Sequence, residues 1–131
     1  MNLDNYLLLI DDDPVNNFMV ERLIKKLSPE IDIKICRNGK EGLKFLESNA
    51  CKPPKIIILD VNMPVMDGFE FLECYQKLAI TKEKTKVILA TTIIKEEDYN
   101  DLPVECELIL KPITADKILK IVTEEVITPM G

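Results

Sequence analysis

Four apolar runs of this chain each end on a group that could do chemistry. Tyr6-Leu7-Leu8-Leu9-Ile10 stops at Asp11-Asp12-Asp13, Ile56 to Leu59 stops at Asp60, Val87 to Ala90 stops at Thr91-Thr92, and Leu108 to Leu110 stops at Lys111-Pro112. Each has a plain explanation alone. Asp13 before Pro14 is the pattern of a helix cap, aspartates and threonines after strands form turns, and Lys-Pro is ordinary in a solvated loop. Together they are less ordinary, because carboxylates crowded at one rim repel and raise one another's pKa unless a cation or a lysine compensates them. Two or three carboxylates are the hard oxygen ligands that Mg²⁺ takes. A carboxylate can also attack phosphorus to give an aspartyl-phosphate, with lysine and metal neutralising the transferring group and a hydroxyl bonding to the product.

The elements between these groups decide whether they meet. Tyr6 to Ile10 is continuously apolar, as a strand buried on both faces is. Asp13-Pro14 opens a helix that places Val15, Phe18, Met19, Leu23, Ile24 and Leu27 on one face until Ser28-Pro29 stops it. Ile31 to Arg37 is a second strand; Asn38-Gly39 opens a helix with Leu43, Phe45 and Leu46, within which Gly42 is a local weakness of about 1 kcal/mol. Lys55 to Leu59 is the third strand, and Gly68 to Ala79 the third helix, with Phe71, Leu72, Tyr75 and Leu78 on one side. A fourth strand runs from Lys86 to Ala90, a short polar fourth helix from Lys95 to Leu102, and a fifth strand from Glu107 to Leu110. A helix from Ala115 to about Ile127, capped by Thr114, turns Ile118, Ile121, Val122 and Val126 inward. Five βα units with continuous apolar strands imply an α/β fold: a doubly wound five-stranded parallel sheet with five helices. In the strand order 2-1-3-4-5, ligands collect beyond the carboxyl ends of the strands, near the switch between the first and third. That is where the polar groups fall.

Composition narrows the chemistry further. The 131 residues fit a single domain, 1–131, with 47% apolar and 31% charged residues. A net charge of −6 with scattered lysines argues against nucleic acid as a partner. The apolar stretch Leu7 to Ile10 is too short for a membrane span or a signal-peptide core, so the expected place is the cytoplasm, with no membrane partner. The four cysteines are widely spaced and the chain has no histidine, which leaves no zinc pattern and removes the commonest general base. Any chemistry runs on carboxylates, hydroxyls and lysine.

The segments LLLIDDDP (7–14), IIILDVNMPVMDG (56–68), VILATT (87–92) and LILKP (108–112) resemble the receiver domain of two-component response regulators, in order and over nearly the whole chain. With no output domain after Lys111-Pro112, the chain resembles the stand-alone, chemotaxis-regulator-like receivers. The resemblance implies a flavodoxin-like fold and a signalling domain rather than an enzyme acting on other substrates. It implies Asp60 as phosphoacceptor, taking a phosphoryl group from a phosphohistidine on a histidine kinase or histidine phosphotransfer protein. It further implies Mg²⁺ held by Asp12, Asp60 and the backbone carbonyl of Asn62, with Asp11 acting through water. Lys111 would pair with the phosphate, Thr91 would move to hydrogen-bond it, and the Lys111-Pro112 bond would be cis. Asp67-Gly68 would be structural.

Three departures stand out. Leu108 occupies the place of the family's switching Tyr or Phe, so a smaller response between Thr91 and Lys111 is expected. Thr92 is bulkier than the usual Ala or Gly. Asn62 and Ile93 flank the path of attacking water, and Ile93 shields without orienting it. The downstream partner is not named by the sequence; Lys95, Glu96, Tyr99, Lys117 and Lys120 are candidate exposed residues for it. Two rival readings compete: an aspartate-based phosphatase, which needs an acid where Asn62 stands, and a receiver-like interaction module that is never phosphorylated, although such modules typically lose an acid or the lysine.

Overall fold

β1 (Tyr6–Ile10) and β3 (Ile56–Asp60) are buried along their whole length, as their uninterrupted apolar sequences require of strands covered on both faces. The computed structural model describes residues 1–63, 66–93, 95, 97 and 99–126. Its other elements are α1 (Pro14–Leu27), β2 (Asp32–Cys36), α2 (Gly39–Ser48), α3 (Gly68–Gln76), β4 (Lys86–Thr91), β5 (Glu107–Leu110) and α4 (Ala115–Val126). All strand pairs are parallel and the order is β2-β1-β3-β4-β5, the doubly wound arrangement expected. The edge strands β2 and β5 are only partly covered.

Alternation along the strands builds two apolar layers. Leu7, Leu9, Ile56, Ile58, Ile88 and Ala90 pack with Val20 and Ile24 of α1 and Ile118, Ile121 and Val122 of α4. Leu8, Ile10, Ile57, Leu59, Val87 and Leu89 pack with Leu46 of α2 and Phe71, Leu72 and Tyr75 of α3. Gly42, read from the sequence as a weakness, is a point of close approach: a β-carbon there would lie 2.6 Å from Ile10 Cδ1 and 3.4 Å from Phe71 Cε2.

Two expectations are corrected. Among the described residues four helices are found, not five: none lies between β4 and β5, where Glu97 is in a 3₁₀ turn and Asn100-Asp101 form a turn. Glu96 and Asp98 of the expected fourth helix lie outside the described residues. A short segment with only Tyr99 and Leu102 to bury lacks the apolar stripe that holds such helices in place. The second correction concerns α1. Val15, Phe18 and Met19 are exposed, whereas Asn17, Val20 and Ile24 are buried. The cause is Asn17, whose amide donates to the Asp11 carbonyl oxygen at 2.9 Å and so takes the inward position on the first turns. The expected inward Val126 and the end at Ile127 fall where side chain or backbone lies outside the described residues.

Candidate functional site

Strand register brings the chemical groups to one level. Ile10 pairs with Leu59, Asp60 with Ala90 and Thr91 with Leu110, so the residues ending each strand share the carboxyl rim. The ladder continues one residue further: the Asp11 amide donates to the Cys36 carbonyl oxygen at 3.0 Å, and the Lys111 amide donates to that of Thr91 at 2.8 Å. Side-chain alternation then sets the faces. Asp11 follows Leu7 and Leu9, Asp60 follows Ile56 and Ile58, and Lys111 follows Ile109, all on the α1/α4 side. Thr91 has the opposite parity and starts out on the α2/α3 side.

The three acids converge. Asp11, Asp12 and Asp60 each offer a carboxylate oxygen within 4.8 Å of the others. Asp11 and Asp60 are buried, and Asp12 is partly so. Lys111 Nζ lies 2.9 Å from Asp11 Oδ2 and 3.2 Å from Asp60 Oδ1, bridging the two buried acids. Burial, reinforced by the Asp11 charge, pushes the Asp60 carboxyl up from 3.8 to about 6 against the opposing pull of Lys111 and the Asn62 amide. Burial works to lower the Lys111 pKa, but its bonds and charge interactions with Asp11 and Asp60 outweigh this and leave it raised. Burial thus dominates at Asp60, whereas the two neighbouring acids dominate at Lys111.

The expected structural residues have their expected places. Asp13 caps α1, accepting from the Val15 amide at 3.0 Å and the Asn16 amide at 3.4 Å. Asp67 caps α3 in a reciprocal box with Glu70. Gly68 is required by close packing, since a β-carbon would meet Val61 Cα at 3.0 Å and the Asp60 carbonyl oxygen at 3.1 Å. The Lys111-Pro112 bond is cis. Sequence reasoning missed Asn16 and Asn17: the Asn16 amide donates to Asp11 Oδ2 at 2.9 Å, and Asn17 anchors the Asp11 backbone as described. The signal was there in two adjacent amides on the first turn of an otherwise apolar-patterned helix.

The other side of the rim is arranged differently. The buried Thr91 hydroxyl donates to the Ile93 carbonyl oxygen at 2.9 Å and accepts from the Ile93 amide at 3.3 Å, closing a turn on itself. Asn62, Thr92 and Ile93 are exposed, and they line a cavity of about 190 Å³ with Thr91, Phe69 and Tyr99. Of the surface candidates, Lys95 and Lys120 are exposed and Glu96 lies outside the described residues. Tyr99 is instead partly buried, its ring 5.6 Å from that of Phe69. Lys117 is spent on the carbonyl oxygens of Leu110 and Pro112.

Residues 7–123 match the family model of the response regulator receiver domain. The chain belongs to this family. Among curated relatives, this receiver is similar to the two-component response regulator ARR11 of Arabidopsis thaliana, at 32% identity over 92% of this chain and 22% of that protein. It is also similar to the sensor histidine kinase CheAY of Helicobacter pylori, at 27% identity over 94% of this chain and 15% of that protein. With the Bordetella pertussis regulator BvgA the match covers 58% of this chain and 34% of the relative, so the receiver spans about a third or less of these curated proteins. A two-component response regulator from Legionella pneumophila superposes with a TM-score of 0.78 at 27% identity, covering 92% of this receiver and 97% of that chain. Vibrio cholerae CheY4 shares the fold, with a TM-score of 0.79 at 23% identity over 93% of this receiver and 98% of that chain. Receivers of this type are signalling domains of two-component systems. Among the described residues no helix is long and apolar enough to cross a membrane.

Proposed function

We propose that this receiver accepts a phosphoryl group on Asp60 from a phosphohistidine of a histidine kinase or histidine phosphotransfer protein in the cytoplasm. The observation that supports this best is the bridge of Lys111 between two buried carboxylates, with a third carboxylate alongside. A lysine so placed is poised to follow the transferring group, exchanging one carboxylate oxygen for a phosphoryl oxygen. The Asp60 oxygen attacks phosphorus, the phosphorus–nitrogen bond of the donor breaks, and the imidazole leaves. Asp11 stays fixed by Asn16 and by the Asp13 amide at 2.9 Å, so the base of the site does not have to reorganise.

The donor set also fits Mg²⁺: hard, anionic oxygens in a cluster, with excess negative charge that one ammonium leaves unbalanced. Asp12 and Asp60 with the Asn62 carbonyl would hold the ion, and Asp11 would act through water. When bound, the ion supplies charge neutralisation at the phosphoryl oxygens. Thr91 would give up its bond to Ile93 for one to the phosphoryl group, biasing a pre-existing equilibrium in the region of Thr91 to Lys111. Residues 1–131 are read as one receiver unit.

The test is intact mass after incubation with acetyl phosphate and Mg²⁺. One added phosphoryl group, lost in Asp60→Ala, is the expected result. No addition to the wild type, together with binding of a kinase regardless of phosphorylation, would mark an interaction module instead.

A further inference from the structure

We propose that Tyr99, tilted against Phe69, is the aromatic side chain that reads the position of the Thr91 hydroxyl, in the place left without an aromatic by Leu108. The proposal rests on the phosphoacceptor reading of Asp60. Three observations carry it. A hydroxyl has one proton to donate, and Thr91 gives its proton to the Ile93 carbonyl oxygen at 2.9 Å, so a bond towards Asp60 must break that one. Thr91, Ile93, Phe69 and Tyr99 share the walls of one small cavity of about 190 Å³, so a turn of the Thr91 side chain changes the space offered to the rings. Phe69 follows Gly68, whose amide donates to the Val61 carbonyl oxygen at 2.9 Å, so the ring pair is tied to the end of the phosphoacceptor strand on one side and lines the cavity with Thr91 on the other.

Leu108 cannot do this work. It packs in the same apolar layer as Tyr99 and Phe69, but it is aliphatic and sits partly buried without a polar atom. Tyr99 meets Phe69 at 50° between ring planes and lines the cavity beside Thr91, so its ring borders the space that a turn of the Thr91 side chain would change. In this arrangement the signal leaves Asp60 through the start of α3 and through Thr91 together, and the ring of Tyr99 closes the circuit.

The chain offers a direct probe. It has no tryptophan and three tyrosines, of which Tyr6 and Tyr75 are 1% exposed, so collisional quenching of tyrosine fluorescence by acrylamide reports Tyr99. Beryllofluoride with Mg²⁺ serves as the phosphoryl mimic, and its bound ¹⁹F resonance reports occupancy independently. With the bound resonance present, the quenching constant of the Tyr99 fraction should fall at least twofold. Phe69→Leu should keep the bound resonance but lose that change. Backbone amide shifts of Leu108 to Leu110 on adding the mimic should survive in Tyr99→Phe and shrink at least twofold in Tyr99→Leu. A bound resonance with unchanged quenching, or full shifts in Tyr99→Leu, overturns the role of Tyr99 alone. Absence of any bound resonance overturns the phosphoacceptor reading and this inference with it.

Discussion

The two halves of the carboxyl rim are built to opposite ends. At β1 and β3, Lys111 bridges the buried carboxylates of Asp11 and Asp60 from the end of another strand, and Asp11 is further held by the side chains of Asn16 and Asn17 and by the Asp13 amide. At β4, the Thr91 hydroxyl bonds, among the described residues, within its own turn, beside an Ile93 that is 64% exposed. The first half is held ready before any ligand arrives. The second is closed by bonds that a competing acceptor can replace one for one, which is what a responding element needs.

The sharpest break of this contrast is removal of the nucleophile. Asp60→Ala should abolish phosphorylation by intact mass, whereas Asp13→Ala, a neighbouring aspartate that only caps α1, should phosphorylate normally and lose about 1 kcal/mol in urea unfolding. Equal loss in both would erase the distinction between chemical and structural aspartates.

Next in size is the bridge. Lys111→Gln should slow phosphorylation by acetyl phosphate on the order of 100-fold, the usual cost of deleting one preorganised charge stabiliser. Asp12→Asn, which removes a charged donor without touching the bridge, should chiefly weaken Mg²⁺ binding in an isothermal titration. Unchanged metal affinity in that variant would move the ion site elsewhere on the rim.

A pH series sharpens the comparison on the braced half. Because the Asp60 carboxyl is raised from 3.8 to about 6, the folded protein binds the extra proton more tightly than the unfolded chain. Its contribution to stability is complete below about pH 3.8 and is lost as pH rises through about 6. In EDTA, Asp60→Asn should therefore be more stable than the wild type at pH 8, by on the order of 2 kcal/mol, and the gap should narrow towards pH 4. Mg²⁺ affinity of the wild type should fall as pH drops below about 6, when a proton competes for the same oxygen. A stability gap independent of pH would remove Asp60 as its cause.

The smallest expected effect lies on the responding half. Ile93 is exposed at the lip of the cavity that Asn62 also lines, and it has no group to orient water. Ile93→Glu should shorten the lifetime of the aspartyl-phosphate about tenfold, close to 1.4 kcal/mol in barrier, as read by loss of the added mass with time. An unchanged lifetime would show that shielding by Ile93 is not what limits water.

What the sequence revealed depended on how local the deciding force was. Strand burial, the cap at Asp13, the helix start at Asn38 and the gathering of Asp11, Asp12, Asp60, Thr91 and Lys111 on one rim follow from short-range patterns and from parallel topology. The inward face of α1 did not, because apolar spacing assigned Val15, Phe18 and Met19 to the core while one amide bond from Asn17 rotated the helix away from them. Phe18 keeps some cover from the Arg22 guanidinium, 5.6 Å above its ring. Gly42 read as a propensity cost because its neighbours Ile10 and Phe71 are far away in sequence. Among the described residues no helix follows β4, and there Tyr99 and Leu102 present too little apolar surface to anchor one.

The lysine bridge has a further consequence when the rim is treated as a valence balance. Three ionised carboxylates and one ammonium leave the rim with a net charge of −2. A divalent cation brings that sum to zero, a monovalent ion leaves it at −1, and a trivalent ion carries it to +1. On this balance a divalent ion, if bound, would match the charge of the rim where Na⁺ or K⁺ would not, and coordination geometry would decide among divalent ions. Lys111 acts as the counterweight of that balance, and replacing it with a neutral residue would shift the preferred valence upward by one.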